Sequence, residues 1–356
     1  MSKQLTIVDL FCGAGIGAIG FQQAGFKILY ANDIEQYAVD TYNNNIGNHA
    51  VCNDIRDINI NDIPNTDVII AGVPCNSFSF AGKNEGITDK QYGDLFEQFN
   101  RIVKGKMPKA FMFENVKGLL SKKHKPIFNH LLIFLTNIGY DITWKLTNSI
   151  EYGIPQKRER VFVVGIRKDL NLKYEFPTPT NITNTIRDTI GNMPEPNEPN
   201  DYYNHYGLGI RKDELPFIHK VPIGGNWKDI PIEDQKLFLG NAYYSEGGRT
   251  GFLRKVSFDK PSLTITATID GKFNAQIVDL RDKYNDNNKI GCRRFTVREC
   301  LRLQTVPDWF YFDDNISIRK QYDRTGGGIP TNLAYLFSKR LYDILTGDYK
   351  STNLFI

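Results

Sequence analysis

The sequence predicts an α/β fold, a mostly parallel, doubly wound sheet accompanied by a smaller, irregular region that contains β-strands. Three observations predict it. Up to about Lys168, apolar strand-like runs alternate with amphipathic helical stretches. The first strand is followed by a glycine turn and the second ends on an acid, as in a nucleotide-binding βαβ unit. From about Pro177 to Asn288 the composition shifts to Asn, Pro, Gly and Tyr with short β-like pieces. The expected organisation is one discontinuous domain, 1–175 plus 324–356, and a second domain, 176–323, that includes a helix near 296–304.

The elements follow in order. Residues 5–11 read as the first strand, Gly13-Ala-Gly-Ile-Gly17 as the turn into a helix reaching about Ala24, and 25–31 as a second strand ending at Asn32-Asp33. Glycines let a backbone approach a ligand closely, and the acid can accept hydrogen bonds from ribose hydroxyls. A third strand around His49 to Cys52 ends at Asp54, a second ligand acid or a turn residue. The apolar run Asp67-Val-Ile-Ile-Ala71 is a short buried strand, and Pro74 stops it. A helix starting near Asp94 places Leu95, Phe96, Phe99, Ile102 and Val103 on one face. Residues 109–113 form a fifth strand with Glu114-Asn-Val116 at its end, and a helix runs from about Lys125 to Ile138. Tyr152-Gly-Ile-Pro-Gln-Lys-Arg-Glu-Arg160 then leads into the apolar strand 161–165. Alternation puts Arg158 and Arg160 on one side of an extended segment, suited to carbonyls and phosphates or simply solvated. Residues 331–341 read as an amphipathic terminal helix.

Composition bounds the function class. The 356 residues are 41% hydrophobic and 24% charged, with no apolar run of membrane-spanning length, which leads us to expect a cytoplasmic protein. Five scattered cysteines, Cys12, Cys52, Cys75, Cys292 and Cys300, form no C-x-x-C pair, so neither a disulfide framework nor a zinc site is expected. The net charge of +4 hints only mildly at a polyanionic partner.

Cys75 is the residue on which the chemistry turns. It stands at the carboxyl end of a buried strand, where open α/β sheets place their reactive groups. It reads as a positioned nucleophile or as a buried structural cysteine. The loop that follows, 80–93, is rich in Gly and Lys and suits a lid. Glu114, at the end of the next strand, points to the same cleft or is a surface turn acid.

Taken together, these motifs resemble the DNA cytosine-5 methyltransferases, in order and over both ends of the chain. Asp9-Leu-Phe-Cys-Gly-Ala-Gly15 is similar to the family's AdoMet-binding turn, and Gly72-Val-Pro-Cys75 to its Pro-Cys nucleophile motif. Glu114-Asn-Val116 is similar to Glu-Asn-Val, Gln156-Lys-Arg-Glu-Arg160 to Gln-x-Arg-x-Arg, and the segment 294–304 to the helix that packs the recognition domain. The resemblance implies a Rossmann-like class I methyltransferase domain with a target-recognition domain between about Ile166 and Arg293. It also implies methyl transfer from S-adenosyl-methionine (AdoMet), leaving S-adenosyl-homocysteine, to C5 of a flipped-out cytosine in a specific double-stranded DNA sequence. Cys75 would attack C6, Glu114 would hold N3 and the exocyclic amine, Arg160 would contact O2, and Arg158 a phosphate or the catalytic loop. For the cofactor the resemblance points to Phe11, Gly13, Ala14, Gly15, Asp33, Ile34, Asp54, Ile55, Pro74, Leu95 and Gly327, and no metal. For DNA it points to Asn76, Ser79 and Lys83. In the recognition segment, Arg249 and Arg254 read as guanine-contacting or as ordinary phosphate or surface residues. The threonine-rich stretch 262–268 reads as a strand on the DNA-facing side. A monomer of restriction–modification type is expected, with a cognate endonuclease acting separately.

Four departures from the family pattern stand out. Asn76 replaces Gln, Asp33 replaces Glu, and the lid reads Gln91-Tyr92-Gly93, one residue longer. In Gly326-Gly-Gly-Ile-Pro330, Gly327 replaces an Asn that helps to frame the cofactor pocket, and three glycines in a row read as a loose segment. The alternatives are a tRNA cytosine-5 methyltransferase, separable by substrate competition, and a non-catalytic DNA-binding relative, which would form no adduct at Cys75. A nicotinamide-dependent oxidoreductase accounts for the first fifty residues but not for Cys75 or Glu114.

Overall fold

A computed structural model describes residues 4–74, 94–180, 182–196, 198–244, 251–269, 271 and 274–348. The chain divides into two compact units, Met1–Tyr152 with Glu159–Asn181 and Gly328–Ile356, and Gly153–Arg158 with Ile182–Gly327. The first unit opens with β1 (Thr6–Leu10), α1 (Ile16–Gln23), β2 (Lys27–Asp33), α2 (Gln36–Asn45), β3 (Ala50–Cys52) and β4 (Val68–Ala71). It continues with α3 (Leu95–Lys106), β5 (Ala110–Val116), α4 (Lys125–Asn137) and β6 (Tyr140–Asn148). The short strand β7 (Gln156–Lys157) belongs to the second unit, and β8 (Glu159–Arg167) returns to the first. The second unit then holds α5 (Ile186–Ile190), α6 (Leu215–Ile218), α7 (Ile232–Leu239), β9 (Arg254–Lys255), β10 (Ser262–Leu263), β11 (Gln276–Asp279), α8 (Leu280–Tyr284), β12 (Cys292–Arg294), α9 (Val297–Leu303) and α10 (Ile318–Gly327). The last helix, α11 (Thr331–Thr346), is again part of the first unit.

The first unit is a seven-stranded sheet of order β3-β2-β1-β4-β5-β8-β6. The pairs β2–β3, β1–β2, β1–β4 and β4–β5 are parallel, whereas β8 runs antiparallel to both β5 and β6. Strands covered on both faces must be apolar throughout, and Val68, Ile69, Ile70 and Ala71 of β4 are all buried. The amphipathic face expected for α3 is the one observed, with Leu95, Phe96, Phe99, Ile102 and Val103 all buried. Phe99 meets Phe111 and Phe113 edge to face at 5.7 and 5.4 Å between ring centres. β6 has no counterpart in the sequence reading. It is an edge strand whose side chains are mostly half-exposed, so it carries no continuous apolar run.

The C-terminal helix closes this unit against α1. The two helices approach so closely at Gly20 that a Cβ there would lie 2.4 Å from the Thr331 carbonyl oxygen and 2.5 Å from the Tyr335 nitrogen. Thr331 Oγ1 donates to the Ile16 carbonyl at 3.0 Å, fastening the start of one helix to the start of the other.

In the second unit, β10 and β7 pair in parallel, and β12, β11 and β9 form a small mixed sheet. The threonine-rich stretch differs from expectation, since only Ser262 and Leu263 form a strand. Beyond them Gln156 Oε1 accepts from the Ile265 nitrogen at 2.9 Å, a side chain replacing the ladder. A charged network lies at the base of α9. Glu195 accepts from Lys283 at 2.6 Å and from Arg293 at 2.6 Å, and Arg293 also reaches Glu299 at 2.7 Å.

Two outcomes test this packing. Gly20→Ala must separate α1 from α11 and is expected to cost about 1–3 kcal/mol, read as a lower chemical-denaturation midpoint. In the second unit, burial raises the Glu195 carboxyl, but hydrogen bonds from Arg293 and Lys283 outweigh it and hold the group at about 2, below its usual 4.5. A depressed carboxyl adds stability that is full above its unfolded value and is lost as pH falls through the folded one. The stability gap between wild type and Glu195→Gln should therefore close between about pH 4.5 and 2, followed by thermal melts across that range.

Candidate active site

Because β1 to β5 are parallel, their carboxyl ends share one edge of the sheet, and antiparallel β8 delivers its amino end to the same edge. Strand order reverses between β1 and β4, which opens a crevice at that edge. Phe11 to Gly15, Asp33, Asp54, Pro74, Glu114 and Arg160 all lie on turns or strand ends along it.

The turn after β1 is built on left-handed backbone. Phe11, Gly13 and Gly15 have φ of 57°, 56° and 85°. Gly15 is doubly required, since a Cβ would also lie 2.7 Å from Ile46 Cγ1. At Gly13 nothing among the described residues comes within 4 Å of a Cβ, so the backbone there faces open space. Asp33 pins the turn to β2: its Oδ2 accepts from the Gly13 nitrogen at 2.9 Å and its Oδ1 from the Glu35 nitrogen at 3.0 Å. Asp33 stays at the crevice with Ile34 beside it, 60% exposed, an apolar side chain next to an acid. This open glycine, fixed carboxylate and exposed apolar side chain fit a nucleoside-bearing cofactor. Ala14, Ile55 and Leu95 are buried, and the last two belong to the apolar core, so their side chains support the pocket from within. Phe11 is partly buried against that core.

Asp9, to which the sequence reading gave no role of its own, is buried one turn before these glycines. Burial first, and then the charge of Asp33, push its carboxyl well above the usual range, and burial, followed by the charges of Asp9 and Asp33, raises the Cys12 thiol. A polar residue inside an apolar strand is the signal that could have found it.

Glu114 and Arg160 meet. In the antiparallel β5–β8 pair Glu114 opposes Phe162 and Val116 opposes Arg160, which leaves Glu114 and Arg160 diagonal neighbours on one face. The long arginine spans the diagonal and brings its Nε to 2.7 Å from Glu114 Oε1, although not in hydrogen-bond alignment. Glu114 is 8% exposed. Next to it, buried Asn115 donates from Nδ2 to the Val73 carbonyl at 3.2 Å, while its Oδ1 accepts from the Val116 nitrogen at 2.9 Å. Asn115 thus ties the end of β5 to the chain leaving β4, immediately before Pro74.

Three other expected residues, Arg158, Arg254 and Gly327, belong to the second unit. Arg158 is not in the strand that carries Arg160. The alternation rule holds within a continuous strand, and β7 ends at Lys157 while β8 begins at Glu159. Its guanidinium is buried in the second unit and donates from Nη1 to the carbonyls of Ile265 and Gly326, each at 3.0 Å. Arg254 lies half-buried on β9, and burial lowers its guanidinium from the ordinary value. Gly326 and Gly327 are the last residues of helix α10 rather than a loose run. A Cβ at Gly326 would lie 2.1 Å from the Thr266 carbonyl carbon, whereas none of the described residues comes within 4 Å of one at Gly327. Cys75, Asn76, Ser79, Lys83 and Arg249 lie outside the described residues, as does the lid.

The model of the C-5 cytosine-specific DNA methylases matches residues 5–343. The chain belongs to this family. Type II methyltransferase M.Eco47II of Escherichia coli is 33% identical over 96% of this chain and 79% of that protein. Type II methyltransferase M.MthTI of Methanothermobacter thermautotrophicus is 33% identical over 96% of this chain and 98% of that one. Among solved structures, the methyltransferase EhMeth of Entamoeba histolytica superposes with a TM-score of 0.69 at 17% identity, covering 98% of this chain and 100% of that one. The Dnmt2 methyltransferase of S. pombe gives 0.67 at 19% identity, with 96% and 99% covered. These last likenesses show the shared fold. The family is one of cytosine-C5 DNA methyltransferases, and the Rossmann-like sheet is the one such an enzyme has. No described helix is long and apolar enough to cross a membrane.

In this methyltransferase, Asn115→Ala should release the chain leaving β4 while sparing the Glu114–Arg160 pair. A loss of about 10–100-fold in kcat is expected, with a much smaller change in KM for DNA. Equal losses in both, or none, would show that the Val73 tie does not orient the reacting groups.

Proposed function

We propose that the enzyme methylates C5 of a flipped-out cytosine in a specific double-stranded DNA sequence, with AdoMet as methyl donor and Cys75 as the transient partner of C6. The observation that carries this reading is the fixed Glu114–Arg160 pair, held at the sheet edge beside the Asn115–Val73 tie that precedes Pro74 and Cys75. A carboxyl and a guanidinium 2.7 Å apart suit a ring that presents N3, an exocyclic amine and O2.

Cytosine C5 is a weak nucleophile until C6 carries an added group. The Cys75 thiolate adds to C6 and forms a C–S bond, and the displaced π electrons move towards N3 and O2. Glu114 donates a proton to N3 and Arg160 offsets charge on O2, which leaves an enamine with nucleophilic C5. AdoMet supplies an electrophilic methyl group on a sulfonium. Once C5 has taken the methyl group, leaving S-adenosyl-homocysteine, N3 returns its proton to the Glu114 carboxylate, the C5 proton passes to solvent, its electron pair re-forms the C5–C6 double bond, and Cys75 leaves as thiolate. The ring edge is inaccessible inside a stacked duplex, so the base must be extruded. Phe11, Gly13, Ala14, Gly15, Asp33, Ile34, Asp54, Ile55, Pro74 and Leu95 would hold AdoMet, with Asp33 and Asp54 towards its ribose and adenine. Lys122 and Lys123, exposed on the loop after β5, and exposed Lys125 at the start of α4 support an approach of DNA to this edge. The second unit would carry target recognition. The Type II names of the relatives support a restriction–modification role, in which the enzyme would act as a monomer apart from a cognate endonuclease.

The test is nucleoside mass spectrometry of plasmid DNA from cells expressing the protein, beside a Cys75→Ser control. 5-Methylcytosine present with the wild type and absent from the control is the expected result. Unmodified DNA from a folded, DNA-binding wild type would overturn it.

A further inference from the structure

The segment that follows β3 carries two of the expected cofactor residues, Asp54 and Ile55, and contains only a turn and the short 3-10 helix Ile60–Asp62 before β4. Two arginines, reaching in opposite directions, fasten it to the first two turns of α3. From the segment, Arg56 grips Asp94 with both arms of its fork, Nε to Oδ2 at 2.9 Å and Nη2 to Oδ1 at 3.0 Å. The third arm, Nη1, donates to Asp54 Oδ2 at 2.8 Å, and the Arg56 backbone nitrogen donates to Asp54 Oδ1 at 2.9 Å. From the helix, Arg101 reaches back: Nη2 donates to the Ile55 carbonyl at 2.9 Å, Nη1 to the Ile58 carbonyl at 3.1 Å, and Nε to Gln98 Oε1 at 2.8 Å.

Local helix chemistry would use Asp94 differently. It occupies the N-cap position of α3, where an aspartate ordinarily accepts from the helix's first amides, but its side chain makes no such bond. Its carboxylate turns to Arg56 instead. The pair is a third exposed at both ends, and ion pairs so placed contribute little to stability. Their effect is geometric. Ile55 and Ile58 sink into the apolar core with Leu95 and Phe99, which anchors the segment from below, and the arginines fix its direction along the helix. What remains at the surface is the Asp54 carboxylate, both of whose oxygens are already held by Arg56.

We propose that Arg56 and Arg101 are positioning residues for the cofactor site, holding Asp54 and the Ile55 backbone in place before the cofactor arrives. The inference rests on the cofactor reading above and adds the residues that preorganise that pocket. A lysine cannot replace either one, because each makes three directed contacts with a planar fork.

The experiment is titration calorimetry of the full-length protein with AdoMet and S-adenosyl-homocysteine, together with the ligand-induced shift in melting temperature. Arg101→Met and Arg56→Lys should each weaken binding about tenfold, which corresponds to about 1.4 kcal/mol. The double variant Arg56→Gln with Asp94→Asn should be no weaker than Arg56→Gln alone, since both remove one contact. In steady state, KM for AdoMet should rise by more than kcat falls. Arg167→Gln is the control. It breaks a comparable bidentate pair with Asp169 at the opposite edge of the sheet and should leave affinity unchanged. Variants that melt like wild type without ligand and bind both ligands like wild type overturn the proposal and leave the cofactor reading standing. A wild type that binds neither ligand overturns the cofactor reading and this proposal with it.

Discussion

The direction of the strands is the constraint on which the site depends. Five parallel strands leave their carboxyl ends on one edge, and each ends in a turn whose side chains need not pack into the core. The glycine turn, Asp33, Asp54 and Pro74 come to this edge for that reason alone. One antiparallel strand completes it. Had β8 run parallel to β5, Arg160 would lie at the far edge from Glu114. The diagonal register of that pair then sets a spacing that an arginine can bridge and a short side chain cannot.

Around this edge, much of the structure positions the groups proposed to do the chemistry. Asp33 holds the Gly13 amide, Asn115 holds the Val73 carbonyl, and Arg56 and Arg101 hold the segment after β3. Each contact is a side chain on backbone, or on another side chain, next to a residue expected to meet substrate or cofactor. Preorganisation of this kind matters because misplacement by about 1 Å can cost orders of magnitude in rate. The second unit uses the same device for its own architecture. Gln156 and Arg158 bind backbone groups of Ile265, and Arg158 also binds Gly326. The Gln-x-Arg segment is therefore partly a structural clamp.

Much of the candidate site was legible in the order of its motifs. A glycine turn after an apolar strand, an acid at the end of the next, and a Glu at the end of a third imply one edge because parallel strands end together. The buried face of α3 followed from helical spacing at Leu95, Phe96, Phe99, Ile102 and Val103. The pairing of Glu114 with Arg160 is different. Both residues were singled out, but that they meet depends on the antiparallel insertion of β8, about 45 residues away in the chain, and on a register that periodicity does not encode. Arg158 shows the opposite failure. Counting by twos put it beside Arg160, and a one-residue break between β7 and β8 removed it.

What the sequence by itself determined was the class of fold, the family and the set of residue types available at each strand end. Those follow from local pattern, namely alternation, glycine turns and short ordered motifs. Only the tertiary structure decided which polar side chains became positioning groups, because burial and partners are set by distant segments. Asn115 finds Val73 across two strands, Arg101 finds the Ile55 and Ile58 carbonyls across a helix and a loop, and Gly20 is demanded by a helix some 310 residues further on. Close packing and hydrogen-bond satisfaction are long-range conditions, and no local signal in the chain announces them.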